Sequence, residues 1–141
     1  MFQEMLQVGS GGGSDEPVTL LGASNYVTGD VGLCSTIGLT IDNTSGYFEK
    51  TLNNSNGITK LVATKSMKIK IISSISRTFT NISKIIYKNG VEIINQSLNT
   101  NGGNVQEIDL DMKVGDYLSG STSISDLQGS NGYTLLILLI K

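Results

Sequence analysis

The chain has 141 residues and a mass of 15.0 kDa, a length that suits one domain and lets a single core form without disulfides or metal. It holds one cysteine, Cys34, and no histidine, which excludes an internal disulfide framework, multi-cysteine zinc sites and histidine-based acid–base chemistry. A net charge of −2 with 16% charged residues leaves no electrostatic footprint for nucleic acid or an anionic membrane, and no stretch approaches the ~18 apolar residues of a membrane span.

Ile and Val together number 24 against 2 Ala, a bias toward side chains that fit a pleated surface and away from the best helix former, so the chain reads as all-β. Gly, Ser, Thr and Asn make up 59 residues, suited to tight turns and polar strand faces. Lysine outnumbers arginine nine to one beside abundant Ile and Asn, a hint of a low-GC genome. Four Asn-x-Ser sequences, at Asn43, Asn53, Asn81 and Asn95, are what such a composition produces by chance and carry no weight.

Residues 1–16 read as an arm and hinge. Met1 to Val8 precede Gly9-Ser10-Gly11-Gly12-Gly13-Ser14, a run whose backbone entropy is too high for strand or helix. Phe2 and Leu6, like Met1 and Met5, stand four apart, so the arm forms one amphipathic turn or an extended hook when docked, and is disordered alone. Docking through Phe2, Met5, Leu6 and Val8 is one reading. A frayed terminus or a laboratory linker is the other. Glu4 stands where a secretion signal would be basic, so a soluble protein without a leader is expected.

From 17 to 141, short β-type segments alternate with turn clusters at Asp42 to Gly46, Asn53 to Gly57, Lys88 to Gly90, Asn99 to Asn104, Lys113 to Asp116 and Gly129 to Gly132, the spacing of a sandwich or barrel. Asn89-Gly90, flanked by strand-like Ile82 to Lys88 and Val91 to Asn95, predicts a type I′ hairpin. Met67 to Ile71 and Ile108 to Met112 alternate apolar and charged residues, one face for the core and one for water. Tyr133 to Ile140 is almost continuously apolar, as in a strand covered on both faces. A neighbouring subunit is the natural second cover, through Tyr133, Leu135, Leu136, Ile137, Leu138, Leu139 and Ile140; a loop or the arm folded over the strand is the alternative.

Ile41 to Lys141 resembles the globular-head jelly roll of complement-like and tumour-necrosis-factor-like proteins, in the form found in low-GC phages. The likeness rests on Gly46-Tyr47-Phe48, Asn56-Gly57-Ile58 leading to Lys68-Ile69-Lys70-Ile71, Tyr87-Lys88-Asn89-Gly90, Val114-Gly115-Asp116-Tyr117 and the apolar last strand. The resemblance implies a jelly-roll β-sandwich that forms trimers with the last strand near the threefold axis. An apolar arm followed by Val8-Gly9-Ser10-Gly11-Gly12-Gly13 is similar to the start of small phage virion proteins, where it would anchor a trimer to the particle. No collagen-like or coiled-coil stalk is present, so a long fibre would need another protein for its shaft.

Chemistry is sparse. Asp109, Asp111 and Asp116 are the densest carboxylates; the first two share a strand face, yet calcium needs six to eight oxygens and a solvated face is the better reading. Lys60, Lys65, Lys68, Lys70 and Arg77 form a basic stretch without interleaved aromatics, read as charged edge protection. No Ser-x-x-Lys sequence occurs, and Gly9 to Gly13 lack the strand and Lys-Ser/Thr pair of a phosphate loop. Cys34 reads as a small buried hydrophobe.

The expectation is a protein that is not an enzyme, with no cofactor and no metal, serving on the virion surface as a homotrimeric capsid decoration or head-fibre protein made in the bacterial host cytoplasm. Its arm would meet other virion proteins. The alternative is a tail-tip or fibre-head module binding host cell-wall glycan through Asn53 to Gly57 and Asn99 to Asn104. With no Trp and five Tyr, aromatic sugar platforms are scarce and the structural role is favoured. A host-encoded trimeric ligand is disfavoured by the missing secretion signal.

Overall fold

The computed structural model of the chain describes residues 18–25, 31–78, 80–124 and 132–140; residues 1–17, and with them the arm positions Phe2, Met5, Leu6 and Val8, lie outside the described residues. Eleven strands and no helix occur among them: β1 (Val18–Asn25), β2 (Cys34–Ser35), β3 (Leu39–Asp42), β4 (Phe48–Leu52), β5 (Gly57–Ala63), β6 (Met67–Arg77), β7 (Ile82–Lys88), β8 (Val91–Leu98), β9 (Gly102–Met112), β10 (Tyr117–Ile124) and β11 (Gly132–Ile140). All named pairings are antiparallel. One sheet runs β3-β1-β11-β6-β9; the other runs β2-β5-β10-β7-β8, with β4 also on β5. The all-β sandwich expected from composition is what the chain forms.

Alternation decides the core. Ile69, Ile71 and Ile75 of β6 point to the opposite sheet and are buried, as are Ile82 and Ile86 of β7, Leu118 of β10, and Leu21 and Ala23 of β1. The intervening Lys68 and Lys70 face water and meet Asp111 and Asp109 across the β6–β9 ladder. β6 lies between β11 and β9, so these lysines do not guard an edge as the sequence suggested; they match the carboxylates of the true edge strand, β9. That strand starts at Gly102, six residues before the predicted Ile108, because β6 offers a continuous partner as far as Arg77.

The Asn89-Gly90 hairpin forms as expected, with φ of 52° and 80°. It is also half of a clasp. Asn89 Nδ2 donates to Asp116 Oδ1 at 3.0 Å, Tyr117 N donates to Asn89 Oδ1 at 2.9 Å, and Lys88 Nζ lies 3.8 Å from Asp116 Oδ2. The Tyr-Lys-Asn-Gly and Val-Gly-Asp-Tyr segments thus meet in space, tying the β7–β8 turn to the β9–β10 turn.

The backbone amide of Lys113 donates to Asp116 at 2.8 Å and, with the Asn89 amide, holds its carboxyl below the ordinary 3.8. A lowered folded value means that the stabilisation is complete above the unfolded value and is lost as pH falls through the folded one. Asp116→Asn is expected to lower Tm at pH 7, with the deficit shrinking as pH falls below the ordinary carboxylate range and Asp116 takes up its proton; paired thermal melts from neutral to acid pH check it, and a pH-independent deficit would contradict it.

Candidate functional site

The last strand presents two different faces. Tyr133, Leu135 and Ile137 are buried in the core between the sheets, and Leu139 packs against that core. Leu136, Leu138 and Ile140 alternate with them and face outward. The seven residues expected at a subunit interface therefore split by strand period: four are committed to the core, and three face outward, of which Leu138 is already buried within the chain at 7% exposed.

Those three sit at the centre of the outer face of the five-stranded sheet. In register, Ile41, Gly22, Leu136 and Ile72 form one row across β3, β1, β11 and β6. Thr19, Leu138 and Lys70 form the next row. Leu136, Ile72, Ile41 and Ile140 are half-buried, and Val105 on β9 is 63% exposed. Along the β6–β9 side runs a charged rim, Lys70 to Asp109 at 3.6 Å and to Glu107 at 3.8 Å, and Lys68 to Asp111 at 4.0 Å. Such exposed pairs add little stability. An apolar centre with a charge-paired rim is instead the make-up of an association surface.

A second feature was missed in the sequence. Val31 to Ser35 are all buried, and lie along the start of β5 at one end of the sandwich, where Leu33 N donates to Ile58 O at 2.8 Å and β2 pairs with Gly57 and Ile58. Three side chains from three strands bond to this backbone. Lys84 Nζ on β7 donates to Leu33 O, Thr122 Oγ1 on β10 donates to Gly32 O at 2.9 Å, and the Tyr133 hydroxyl on β11 accepts from Ser35 N at 3.0 Å. Lys84 is fully buried, also donates to Thr122 Oγ1 at 2.7 Å, and its ammonium lies 4.4 Å from the Tyr133 ring centroid. Room for the segment comes from glycine. A Cβ on Gly57 would lie 2.5 Å from Val31 O, and one on Gly120 would lie 3.1 Å from Leu33 Cα.

The inward row continues to Gln96, which pairs with Lys84 on β8. Its carboxamide accepts from Ser73 Oγ at 2.6 Å and donates to Ser73 O and Asn104 Oδ1 at 2.9 Å each, bridging the two sheets. Beside this layer, burial pushes the Cys34 thiol up to about 11, against the lowering influence of the Lys84 charge. Cys34 is the buried, unreactive residue the sequence suggested.

The carboxylates do not converge. Asp109 and Asp111 pair with lysines, Asp116 belongs to the clasp, and no group of three metal-ligating side chains occurs among the described residues. Lys60 and Lys65 do have aromatic partners, at 4.5 Å from the Tyr117 ring centroid and 4.1 Å from that of Tyr47, pairs between residues distant in the chain that leave no local sequence signal. The Asn53 to Gly57 and Asn99 to Asn104 loops lie at the same end of the sandwich, on strands separated by β10 and β7.

No match is found among family models or among curated proteins. Among solved structures, the crystal structure of pika GITRL aligns with a TM-score of 0.51 at 15% identity, over 86% of this chain and 98% of that one. The fold is a tumour-necrosis-factor-like jelly roll. Rabbit GITRL aligns with a TM-score of 0.43 at 18% identity, over 67% of this chain and 78% of that one.

Replacing Lys84 by Met keeps the length of the side chain and removes the donor to Leu33 O. The orphaned buried carbonyl is expected to cost about 1–3 kcal/mol, read as a lower urea midpoint. Loosening of Val31 to Ser35 should also speed native-state labelling of Cys34 by a thiol reagent. Unchanged midpoint and labelling would show that Lys84 does not hold the segment.

Proposed function

We propose that the chain is a non-enzymatic structural protein of a bacteriophage virion, a homotrimer on the particle surface that serves as a capsid decoration or head-fibre protein and is anchored by Phe2, Met5, Leu6 and Val8. The observation that carries the trimer is the outer face of the five-stranded sheet. Leu136 and Ile140, half-buried, and Leu138, 7% exposed, place a row of branched apolar side chains on the outer side of the middle strand of that sheet, where an uncovered face would carry polar ones. Three such faces meeting around an axis bury the row while the Lys70 to Asp109 rim stays wet. The jelly roll and the trimeric habit of the heads it resembles favour the same arrangement.

The virion assignment draws on the Tyr87 to Gly90 and Val114 to Tyr117 segments, which meet in one clasp, and on the apolar arm with its glycine hinge. Apolar side chains ahead of a glycine-rich run suit docking into a groove or strand edge, and three linked arms would gain avidity from effective concentration. The hinge lets a threefold body meet a surface of different symmetry.

Sedimentation equilibrium of the full chain is expected to return about three times 15.0 kDa. Leu136→Asp should give a monomer that keeps its β-type circular dichroism, because the substituted position lies outside the core; a parent chain that is monomeric at every concentration would refute the trimer. Deleting residues 1–8 should leave a folded trimer that no longer joins the particle. Undiminished incorporation would move the attachment to the sandwich itself.

A further inference from the structure

Charge is divided unevenly between the two ends of the sandwich. The end where β1 begins carries Lys65, Lys68, Lys88, Asp111, Lys113 and Asp116. At the opposite end, where the described residues are 35–38, 52–57, 76–78, 80–82 and 97–103, Arg77 is the one charged residue among those described, set among Asn, Ser, Thr and Gly.

We propose that this opposite end is a recognition surface for a neutral glycan, with the carboxamides of Asn81 and Asn101 as its fixed hydrogen-bond donors. Arg77 Nε donates to Asn81 Oδ1 at 3.2 Å, and its terminal nitrogen donates to Asn101 Oδ1 at 2.7 Å. A guanidinium donates and never accepts, so it orients both amides with oxygen inward. Their NH2 groups are left without a hydrogen bond to any described residue. One side chain thereby locks the β6–β7 and β8–β9 connections together and holds two donors in place, which lowers the ordering cost of binding.

The chemistry selects the ligand class. Outward donors call for acceptors, and a sugar supplies hydroxyl, ring and acetamido oxygens at high density. An anionic polymer would find a single cation, already held between two carbonyl oxygens. A protein partner would call for aromatic or arginine anchors, and among the described residues the half-buried tyrosines Tyr47, Tyr87 and Tyr117 lie toward the other end. Across the same end, the Asn53 oxygen is likewise taken, by the amides of Ser55 and Gly57 at 2.8 Å each, and Ile37 and Leu52 are 69% and 55% exposed, apolar surface of the kind that meets the C–H face of a sugar ring. With no aromatic platform among the described residues of this end, single-site affinity falls near the millimolar range and gains from multivalency.

The test is independent of particle attachment and of trimer formation. An array of neutral oligosaccharides of hexose and N-acetylhexosamine, set beside uronic-acid polymers, is probed with the labelled full chain. The best neutral binder is then titrated into 15N-labelled protein. Shifts are expected at 53–56, 77–81 and 99–101. Asn81→Asp and Asn101→Asp keep an oxygen on Arg77 while turning the outward donor into an acceptor; each is expected to hold Tm at or above that of the parent and to weaken binding at least fivefold. Lys88→Ala, at the charged end, should leave sugar binding unchanged. The proposal is overturned if no neutral sugar binds up to about 10 mM, if only acidic polymers bind, if the shifts map to the outer sheet face or the charged end, or if both Asp variants bind as the parent does.

Discussion

The backbone of Val31 to Ser35 lies inside the sandwich, and its carbonyls and amides must find partners away from water. An unpaired buried backbone group costs as much as a lost hydrogen bond or more, so the surrounding strands have to supply side-chain donors and acceptors at fixed places. Lys84, Thr122 and Tyr133 do so from three strands and both sheets. Gly57 and Gly120 clear the space. A fully buried lysine is expensive in a core of this kind, and its ammonium is met here by a carbonyl, a hydroxyl and an aromatic face. The register of β7, β10 and β11 at this end is therefore tied to one short segment.

That segment explains why the two ends of the molecule differ. Where Val31 to Ser35 fill the sandwich, the connections outside them are carried by amide and hydroxyl side chains that satisfy their own turns, as Asn53 does for Ser55 and Gly57. At the other end the turns are closed by charge, with Asp116 held between the Lys113 amide and Asn89. The broad faces differ as well. The outer face of the five-stranded sheet has an apolar centre, whereas on that of the six-stranded sheet Ser83 pairs with Ser123, and Ser121 and Ser119 pair with Ile85 and Tyr87. A trimer on the first face, as proposed, would leave the amide end open to an external ligand, so the two proposed uses would not compete for surface.

Much of the candidate interface was legible. The apolar run Tyr133 to Ile140 announced a strand with two apolar faces, and the pairing with β1 and β6 assigned Leu136, Leu138 and Ile140 to the outside. Lys84 left a signal that went unread: it falls between Ile82 and Ile86 at the spacing of a strand face, so a charged residue stood at a position whose neighbours were plainly core. Arg77 was grouped with nearby lysines as basic surface, yet its partners Asn81 and Asn101 lie 4 and 24 residues along the chain. No local pattern could join them.

The sequence by itself determined the class of structure: β-branched content, period-two alternation in β6 and β9, and the Asn89-Gly90 turn all act over a few residues and need no distant partner. It also determined what chemistry was absent, since no fold can supply a histidine or a second cysteine. Only the tertiary structure decided which strand is an edge, which side of β11 is core, and that Tyr87 to Gly90 meets Val114 to Tyr117. These are pairings between segments tens of residues apart, and their energy depends on the register of whole strands, which alternation along any single strand leaves open.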